Sequence, residues 1–155
     1  MSRKSTHTLR SVLRRVFQSP ARYPRPKSED ELPARTVRHL NQLGERLSAW
    51  VEAKQYCRPS PNLDDTIKQL GTDTQRLHLY FYLRVGEDFR TWRTRLRLQE
   101  AQRLFLENPS LTASEVSRIT GFNDRSNFSR QFLTHMGMSV TDWRRKAGCA
   151  HKKRR

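Results

Sequence analysis

Apolar residues recur at helical spacing through most of the chain, and no segment shows the strict alternation of a half-buried strand. The recurrence begins near Ala34 and continues to about residue 146. It predicts a first helix over roughly 34–56, two short helices, a long connecting helix over about 87–107 and three further helices. In the connecting helix it predicts that Phe89, Trp92, Leu96, Ala101, Leu104 and Phe105 are buried. The pattern therefore predicts an all-α fold.

Residues that start and stop helices divide this pattern. Thr112-Ala-Ser-Glu115 has the sequence of a capping box, in which the Thr hydroxyl and the Glu carboxylate each bond to a backbone N–H at the helix start. Small polar residues precede other helices and glycines follow them, as expected for N-caps and left-handed C-terminal positions. The expected N-caps are Asn62, Thr72 or Asp73, and Asp124, and the expected terminating glycines are Gly71, Gly86, Gly121 and Gly137.

The chain contains an internal repeat with a separation of 51 residues. Leu77, Phe81, Gly86, Phe89, Trp92 and Arg93 correspond to Phe128, Phe132, Gly137, Val140, Trp143 and Arg144, and Gly71 corresponds to Gly121 after a one-residue adjustment. Each copy has a short helix, a glycine turn and a second helix with a polar face, which is the helix-turn-helix pattern. The repeat predicts two such units, at about 62–86 and 112–137, joined by the connecting helix.

Charge is concentrated at the two ends of the chain. The net charge is +16 over 155 residues, with 31 Lys and Arg against 15 Asp and Glu. Residues 1–35 hold nine basic and three acidic residues, a net +6, and residues 143–155 hold seven basic residues and no acidic one, a net +7. Basic ends occur on nucleic-acid-binding, membrane-surface and merely soluble proteins. Charge therefore makes nucleic acid a candidate partner without identifying it.

These features predict three parts. Residues 1–33 form a basic arm and a Pro-rich linker, expected to be disordered; 34–146 form the folded domain; 147–155 form a basic tail. Within the arm, the segment His7–Gln18 has the pattern of a short basic amphipathic helix, which suits a membrane surface, a protein partner, the flank of DNA, a transit peptide or a solvated arm. The arm is too short for a sensor domain, so we expect no small-molecule effector domain in this chain.

Enzymatic and metal-binding patterns are absent from the sequence. The five His residues are scattered, and no catalytic motif or phosphate-binding glycine loop occurs. Cys57 and Cys149 lack the spacing of a zinc site and favour a reducing cytosol. No apolar run approaches the length of a membrane span. We therefore expect a non-enzyme without cofactors, metal or membrane span.

Several stretches resemble the DNA-binding domain of the AraC/XylS family of bacterial transcription regulators. They are Asp88-Phe-Arg-Thr-Trp, Arg95-Leu-Arg-Leu-Gln-Glu-Ala101, Leu111-Thr-Ala-Ser-Glu-Val, Gly121-Phe-Asn-Asp-Arg-Ser-Asn-Phe-Ser-Arg-Gln-Phe132 and Gly137-Met-Ser-Val-Thr-Asp-Trp-Arg144. The resemblance spans about 34–146. It implies two helix-turn-helix subdomains that insert recognition helices into successive major-groove faces of one double-stranded DNA. It also implies a cytoplasmic, nucleoid-associated regulator with RNA polymerase as a candidate partner.

The second recognition helix carries side chains that suit base reading. With Phe128 and Phe132 inward, the outer face holds Arg125, Ser126, Asn127, Ser129 and Arg130. Arg pairs bidentately with guanine and Asn with adenine, and Ser is short enough for bases or phosphate. The resemblance implies base and backbone contacts at these five positions.

The first recognition helix departs from the family pattern. Leu79 stands in the position of Arg130, and Leu83 extends the apolar face, while Gln75, Arg76, His78 and Tyr82 remain candidate readers. Either Leu79 contacts a thymine methyl, or this half reads DNA poorly and contacts a protein, or the difference has no function. We expect a binding motif that is strong in the half read by the second helix and degenerate in the other.

Arginines between the two units also bear on the arrangement. Arg93 stands where the family usually buries an aliphatic residue, and the resemblance implies that Arg95 or Arg97 ties the subdomains together. Two other function classes remain open. One is a nucleic-acid-binding accessory protein that uses the tails without sequence preference, and the other is a protein-interaction adaptor that uses the arm and the Leu79 and Leu83 face.

Overall fold

The structure, a computed structural model, describes residues 26–59 and 63–149. In this part of the chain there are seven α-helices and no β-strand, which confirms the predicted all-α fold. We label them α1 (Ala34–Glu52), α2 (Leu63–Gln69), α3 (Thr74–Tyr80), α4 (Phe89–Glu107), α5 (Ala113–Ile119), α6 (Arg125–Met136) and α7 (Val140–Lys146). All seven belong to one compact unit that begins at Pro33, and a separate unit ends at Leu32. None of these helices combines the length and the apolar character that a bilayer span requires.

The predicted N-caps and terminating glycines agree with the structure wherever it describes them. Thr112 and Glu115 form both hydrogen bonds of the capping box at the start of α5. Asp73, rather than Thr72, caps α3, and Asp124 caps α6. The four expected glycines all have positive φ, between +57° and +79°. The predicted N-cap Asn62, residues 1–25 of the predicted arm and linker, and the tail from Ala150 lie outside the described residues. The described end of the linker contains a 3-10 turn, Glu29–Glu31.

The first helix is shorter than predicted. The expectation of a helix over 34–56 is wrong at its C-terminal end, because α1 stops at Glu52. Lys54 then adopts a left-handed φ of +49°, which breaks the helix, and a 3-10 turn, Gln55–Cys57, follows. This backbone reversal brings the Lys54 ammonium within 2.8 Å of Glu100 on α4.

The long helix α4 contributes to two separate hydrophobic cores. Its N-terminal part packs with α1, α2 and α3 around Trp50, Phe81 and Phe89, and its C-terminal part packs with α5, α6 and α7 around Phe105 and Phe128. Since the two cores contact α4 from different directions, its buried positions do not follow one stripe.

The burial prediction for α4 is therefore only partly correct. Phe89, Ala101 and Phe105 are buried, whereas the rest of the predicted set, Trp92, Leu96 and Leu104, is half-buried. Leu98 and the charged Glu100, which the pattern did not predict, are buried as well.

Two arginines anchor equivalent loops in the two halves of the domain, each half being one of the two hydrophobic cores with the helices that surround it. Arg93 Nη2 donates to the carbonyl of Arg58 at 3.1 Å, and Arg144 Nη2 donates to the carbonyl of Pro109 at 2.5 Å. Both hydrogen bonds span 35 residues, so the 51-residue repeat extends to the loops that precede α2 and α5. Arg144 also donates to the Leu111 carbonyl at 2.9 Å. Arg93 thus replaces the aliphatic residue of the family with an anchor that matches Arg144.

Arg97 on α4 contacts both halves of the domain. Its guanidinium donates to the carbonyls of Tyr56 at 2.5 Å and Arg58 at 2.8 Å, in the first half, and lies 5.7 Å from the ring centre of Phe122 in the second half. Burial lowers the pKa of Arg97 to about 10, which leaves it charged at neutral pH. Arg95 instead pairs with Glu87. Of the two arginines that the resemblance singled out, Arg97 is the one that joins the halves.

Candidate nucleic-acid interface

The second helix-turn-helix unit exposes one face of α6. Its N-cap, Asp124, accepts a hydrogen bond from the Asn127 backbone N–H at 2.7 Å. Phe128 and Phe132 are fully buried, which fixes the rotation of α6 about its own axis. The five predicted reader residues occupy the remaining surface, with Arg125, Ser126 and Arg130 exposed and Asn127 and Ser129 half-buried.

Two of these side chains are hydrogen-bonded to each other. Arg130 Nη2 donates to Asn127 Oδ1 at 3.0 Å, across one turn of the helix. The hydrogen bond orients the planar guanidinium beside the amide. On this surface Arg130 keeps its other N–H donors, and Asn127 keeps its NH2 group and the second lone pair of Oδ1. A guanidinium can pair with guanine O6 and N7, and an amide can pair with adenine N6 and N7. This arrangement can therefore form hydrogen bonds to neighbouring bases in a major groove.

A shallow cavity of about 270 Å³ lies beside the start of α6. Its lining includes Arg118 at the end of α5 and Arg125 at the start of α6, together with the cap residues Glu115 and Asp124. Arg118 is not among the readers predicted from the sequence, although its position three residues before Gly121 makes it a neighbour of α6. The two arginines supply cationic groups that suit phosphate contacts next to the exposed face of α6.

The first helix-turn-helix unit presents a different surface on α3. Leu77 and Phe81 are buried and orient the helix as Phe128 and Phe132 orient α6. Among the predicted readers Gln75, Arg76 and His78 are exposed, Leu79 is half-buried, and Tyr82, which follows in a π-helical turn, is 48% exposed.

Arg76 is the only arginine among these α3 readers, and it is held by the helix cap. Its Nη1 lies 2.7 Å from Asp73 Oδ2, while its backbone N–H donates to Asp73 Oδ1 at 2.8 Å. The cap carboxylate therefore offsets the charge of Arg76. At the equivalent place in the second unit, 51 residues later, stands the uncharged Asn127. The cationic groups of the α6 surface, Arg125 and Arg130, have Thr74 and Leu79 as their counterparts on α3.

The described residues offer little for metal or thiol chemistry. Residues 26–59 and 63–149 contain no group of three or more His, Cys, Asp or Glu side chains that could hold a metal ion. Burial raises the pKa of the Cys57 thiol to about 11. At neutral pH this thiol is therefore protonated and a poor nucleophile.

Known proteins match the part of the chain that contains both units. The profile of a family described as "Helix-turn-helix domain" matches residues 67–146. The Msm operon regulatory protein of Streptococcus mutans is 29% identical over 86 residues, which are 56% of this chain and 31% of that protein. The chain thus covers about a third of the length of this curated relative.

Two solved structures have the same fold. The C-terminal domain of AraT, a response regulator from Geobacillus stearothermophilus, is 19% identical with a TM-score of 0.54, over 75% of this chain and 88% of that one. The DNA-binding domain of AdpA, a global transcriptional factor solved in complex with a target DNA, is 20% identical with a TM-score of 0.58, over 68% and 91%. Together with the profile match over half of the chain, the paired units show that the chain belongs to the AraC-type helix-turn-helix family.

Proposed function

We propose that this protein is a sequence-specific DNA-binding transcription regulator that reads the major groove with α3 and α6, with α6 dominant. The observation that carries the proposal is the outer face of α6, where Arg130 and Asn127 are hydrogen-bonded side by side and Arg125 and Ser126 are exposed. Each well-formed bidentate pair contributes about 1–3 kcal/mol of discrimination against the wrong base. A surface with two such groups suits reading of sequence as well as attraction to phosphate.

The proposed DNA-binding surface combines base readers and backbone contacts. Arg125, Ser126, Asn127, Ser129 and Arg130 form its α6 part, and Gln75, Arg76, His78 and Leu79 form its α3 part. The interaction of Arg97 with both halves supports simultaneous binding to one duplex, since it limits their independent motion. Binding to chromosomal DNA would place the protein at the nucleoid, and RNA polymerase remains a candidate partner.

The test is enrichment of duplexes from a randomised library by the full-length protein at about physiological salt. We expect an asymmetric motif that spans roughly one to two helical turns. Arg130→Lys keeps the charge but loses the bidentate fork, so it should lose about tenfold or more in affinity for the selected site and little for random DNA. Arg38→Lys, on the exposed face of α1, is the matched control and should leave the preference between the two duplexes unchanged.

Other outcomes would contradict the proposal. Tight, salt-sensitive binding without enrichment would indicate an accessory protein that coats nucleic acid through its basic ends. No binding at all would indicate a protein-interaction adaptor. Equal losses of affinity in Arg130→Lys on both duplexes would argue against base reading by α6.

A further inference from the structure

The outer surface of α3 carries two side chains, Gln75 and Leu79, that suit A·T base pairs. Resting on the proposed function, we infer that α3 recognises A·T base pairs, with Leu79 contacting the 5-methyl group of thymine and Gln75 pairing with adenine. The first half-site is then not merely a weaker copy of the second but one with a different composition. The second half-site requires guanine for Arg130.

Neither arginine of the first helix-turn-helix unit is placed as Arg130 is on α6. Arg76 pairs with the charged carboxylate of its own cap, with Nη1 2.7 Å from Asp73 Oδ2, whereas the partner of Arg130 is the uncharged amide of Asn127. Arg84, in the π-helical turn, donates to Asn41 Oδ1 at 2.7 Å, so it is directed towards α1. A guanine reader equivalent to Arg130 is therefore lacking in the described part of this unit.

The two recognition helices correspond residue by residue in the 51-residue repeat. Leu79 lies 51 residues before Arg130, and its helix is oriented by Leu77 and Phe81 as α6 is by Phe128 and Phe132. Leu79 therefore occupies the place from which Arg130 would reach a base. A half-buried leucine there presents methyl groups and no hydrogen-bonding atom. In the major groove the complementary apolar group is the thymine methyl.

Gln75 lies on the same helix face as Leu79. It is exposed and stands one turn before Leu79. Four residues of helix rise about 6 Å, which is close to the separation of base pairs two steps apart at about 3.4 Å each. Because glutamine pairs with adenine N6 and N7, both side chains select A·T pairs within a span of about three base pairs.

The experiment uses the full-length protein and the duplex selected from the library. Each thymine of the site is replaced in turn by uracil, which removes only the 5-methyl group. We expect one position in the α3 half-site where uracil weakens binding by about three- to fourfold, the value for losing one buried methyl-sized group. The same replacement should leave the affinity of the Leu79→Ala variant for the duplex unchanged. The matched control Arg130→Lys should keep its sensitivity to uracil at that position.

A second variant keeps the inference testable if Leu79→Ala does not fold. Leu79→Arg introduces the side chain that stands at the equivalent α6 position, and its own library selection should show guanine where the wild type selects thymine. An unchanged motif for Leu79→Arg would overturn the inference. So would a wild-type protein that binds its site specifically but is insensitive to uracil throughout the α3 half-site. Failure to select any motif would instead overturn the proposed function.

Discussion

Thr66 is a buried polar residue whose hydroxyl has no hydrogen-bond partner among the described residues. It is fully buried on α2, where its backbone carbonyl accepts from Leu70 N–H. Val116 holds the same place on α5, since its carbonyl accepts from Thr120 N–H and it too is fully buried. At this position the second half therefore has a valine, whereas the first half has a threonine whose hydroxyl is unpaired.

Thr66→Val should raise the free energy of unfolding by about 1 kcal/mol, because a buried hydroxyl without a partner loses its hydrogen bonds to water and forms none in the protein. Urea denaturation of the full-length protein measures the change. Thr120→Val is the matched control, since the buried Thr120 hydroxyl donates to the Val116 carbonyl at 2.7 Å. That variant should be neutral or destabilised. Equal destabilisation of both variants would show that the Thr66 hydroxyl does have a partner.

Glu100 is a buried carboxylate at the junction of α1 and α4, and it makes part of the stability pH-dependent. Hydrogen bonds from Arg103 lower the pKa of its carboxyl below the ordinary value, burial acts in the opposite direction, and Lys54 lowers the pKa further. In the unfolded chain the carboxyl titrates at about pH 4.3. Because the folded pKa is lower, this stabilisation is complete above that pH and is lost as the pH falls through the folded pKa.

Glu100→Gln should therefore destabilise the protein most at neutral pH, and the difference from the wild type should shrink below about pH 4.3. Chemical denaturation at a series of pH values checks this. Glu107→Gln is the control, because Glu107 also pairs with Arg103 but is exposed, where ion pairs contribute little. A constant difference across the pH range would rule out a contribution from ionisation of Glu100.

At the scale of elements, the glycine turns share a backbone conformation but differ in their surroundings. Gly121 has a φ of +77° and Gly137 a φ of +68°. A methyl group added to Gly121 would lie 2.2 Å from the carbonyl oxygen of Cys57, whereas one added to Gly137 would meet nothing within 4 Å. The turn of the second unit therefore packs against the backbone of the first half, and only glycine allows that approach.

Gly121→Ala should cost clearly more stability than Gly137→Ala. The latter should lose about 1 kcal/mol from the strained φ alone. The former adds a clash with backbone atoms, so we expect a total of at least about 2 kcal/mol. Thermal unfolding of both variants beside the wild type gives the comparison. Equal effects would mean that the Cys57 loop does not press on this turn in solution.

For the whole molecule, the proposed function assigns sequence reading and electrostatic attraction to different parts of the chain. The proposed reading faces lie on α3 and α6, whereas residues 1–35 and 143–155 carry most of the net charge of +16. Binding to phosphate is independent of sequence, and each neutralised phosphate contributes about 0.9 to the slope of log affinity against log salt. Affinity and specificity should therefore respond to different substitutions.

Replacing Lys152, Lys153, Arg154 and Arg155 with Gln should reduce the salt slope, by up to about 0.9 for each phosphate that the tail no longer neutralises. Affinity for the selected site and for random DNA should fall by the same factor, so that discrimination survives. Titrations at several salt concentrations on both duplexes measure the two quantities. A loss of discrimination in this variant would mean that the tail takes part in reading the sequence.

Local sequence accounts for the all-α fold, for most of the helix ends and for the duplication. The capping box at Thr112, the cap at Asp124 and the turn at Gly71 depend on residues within about four positions of each other, so they can be predicted from the local sequence. For the cap of α3 the sequence leaves Thr72 and Asp73 as alternatives, and the structure shows that it is Asp73. The 51-residue repeat likewise predicts which side of α3 and α6 remains outside, because the buried residues Leu77 and Phe81 of the first unit and Phe128 and Phe132 of the second fix that side.

The contacts that join the two halves are visible only in the three-dimensional packing. Arg97 reaches Tyr56 across 41 residues, and Lys54 reaches Glu100 across 46 after a left-handed turn that its own residue type does not predict. The burial of Leu98 follows from α4 facing two cores, which no single periodic stripe describes. Interactions between residues so far apart depend on the packing of whole helices, and sequence periodicity gives the buried face of one helix but not the neighbours that it meets.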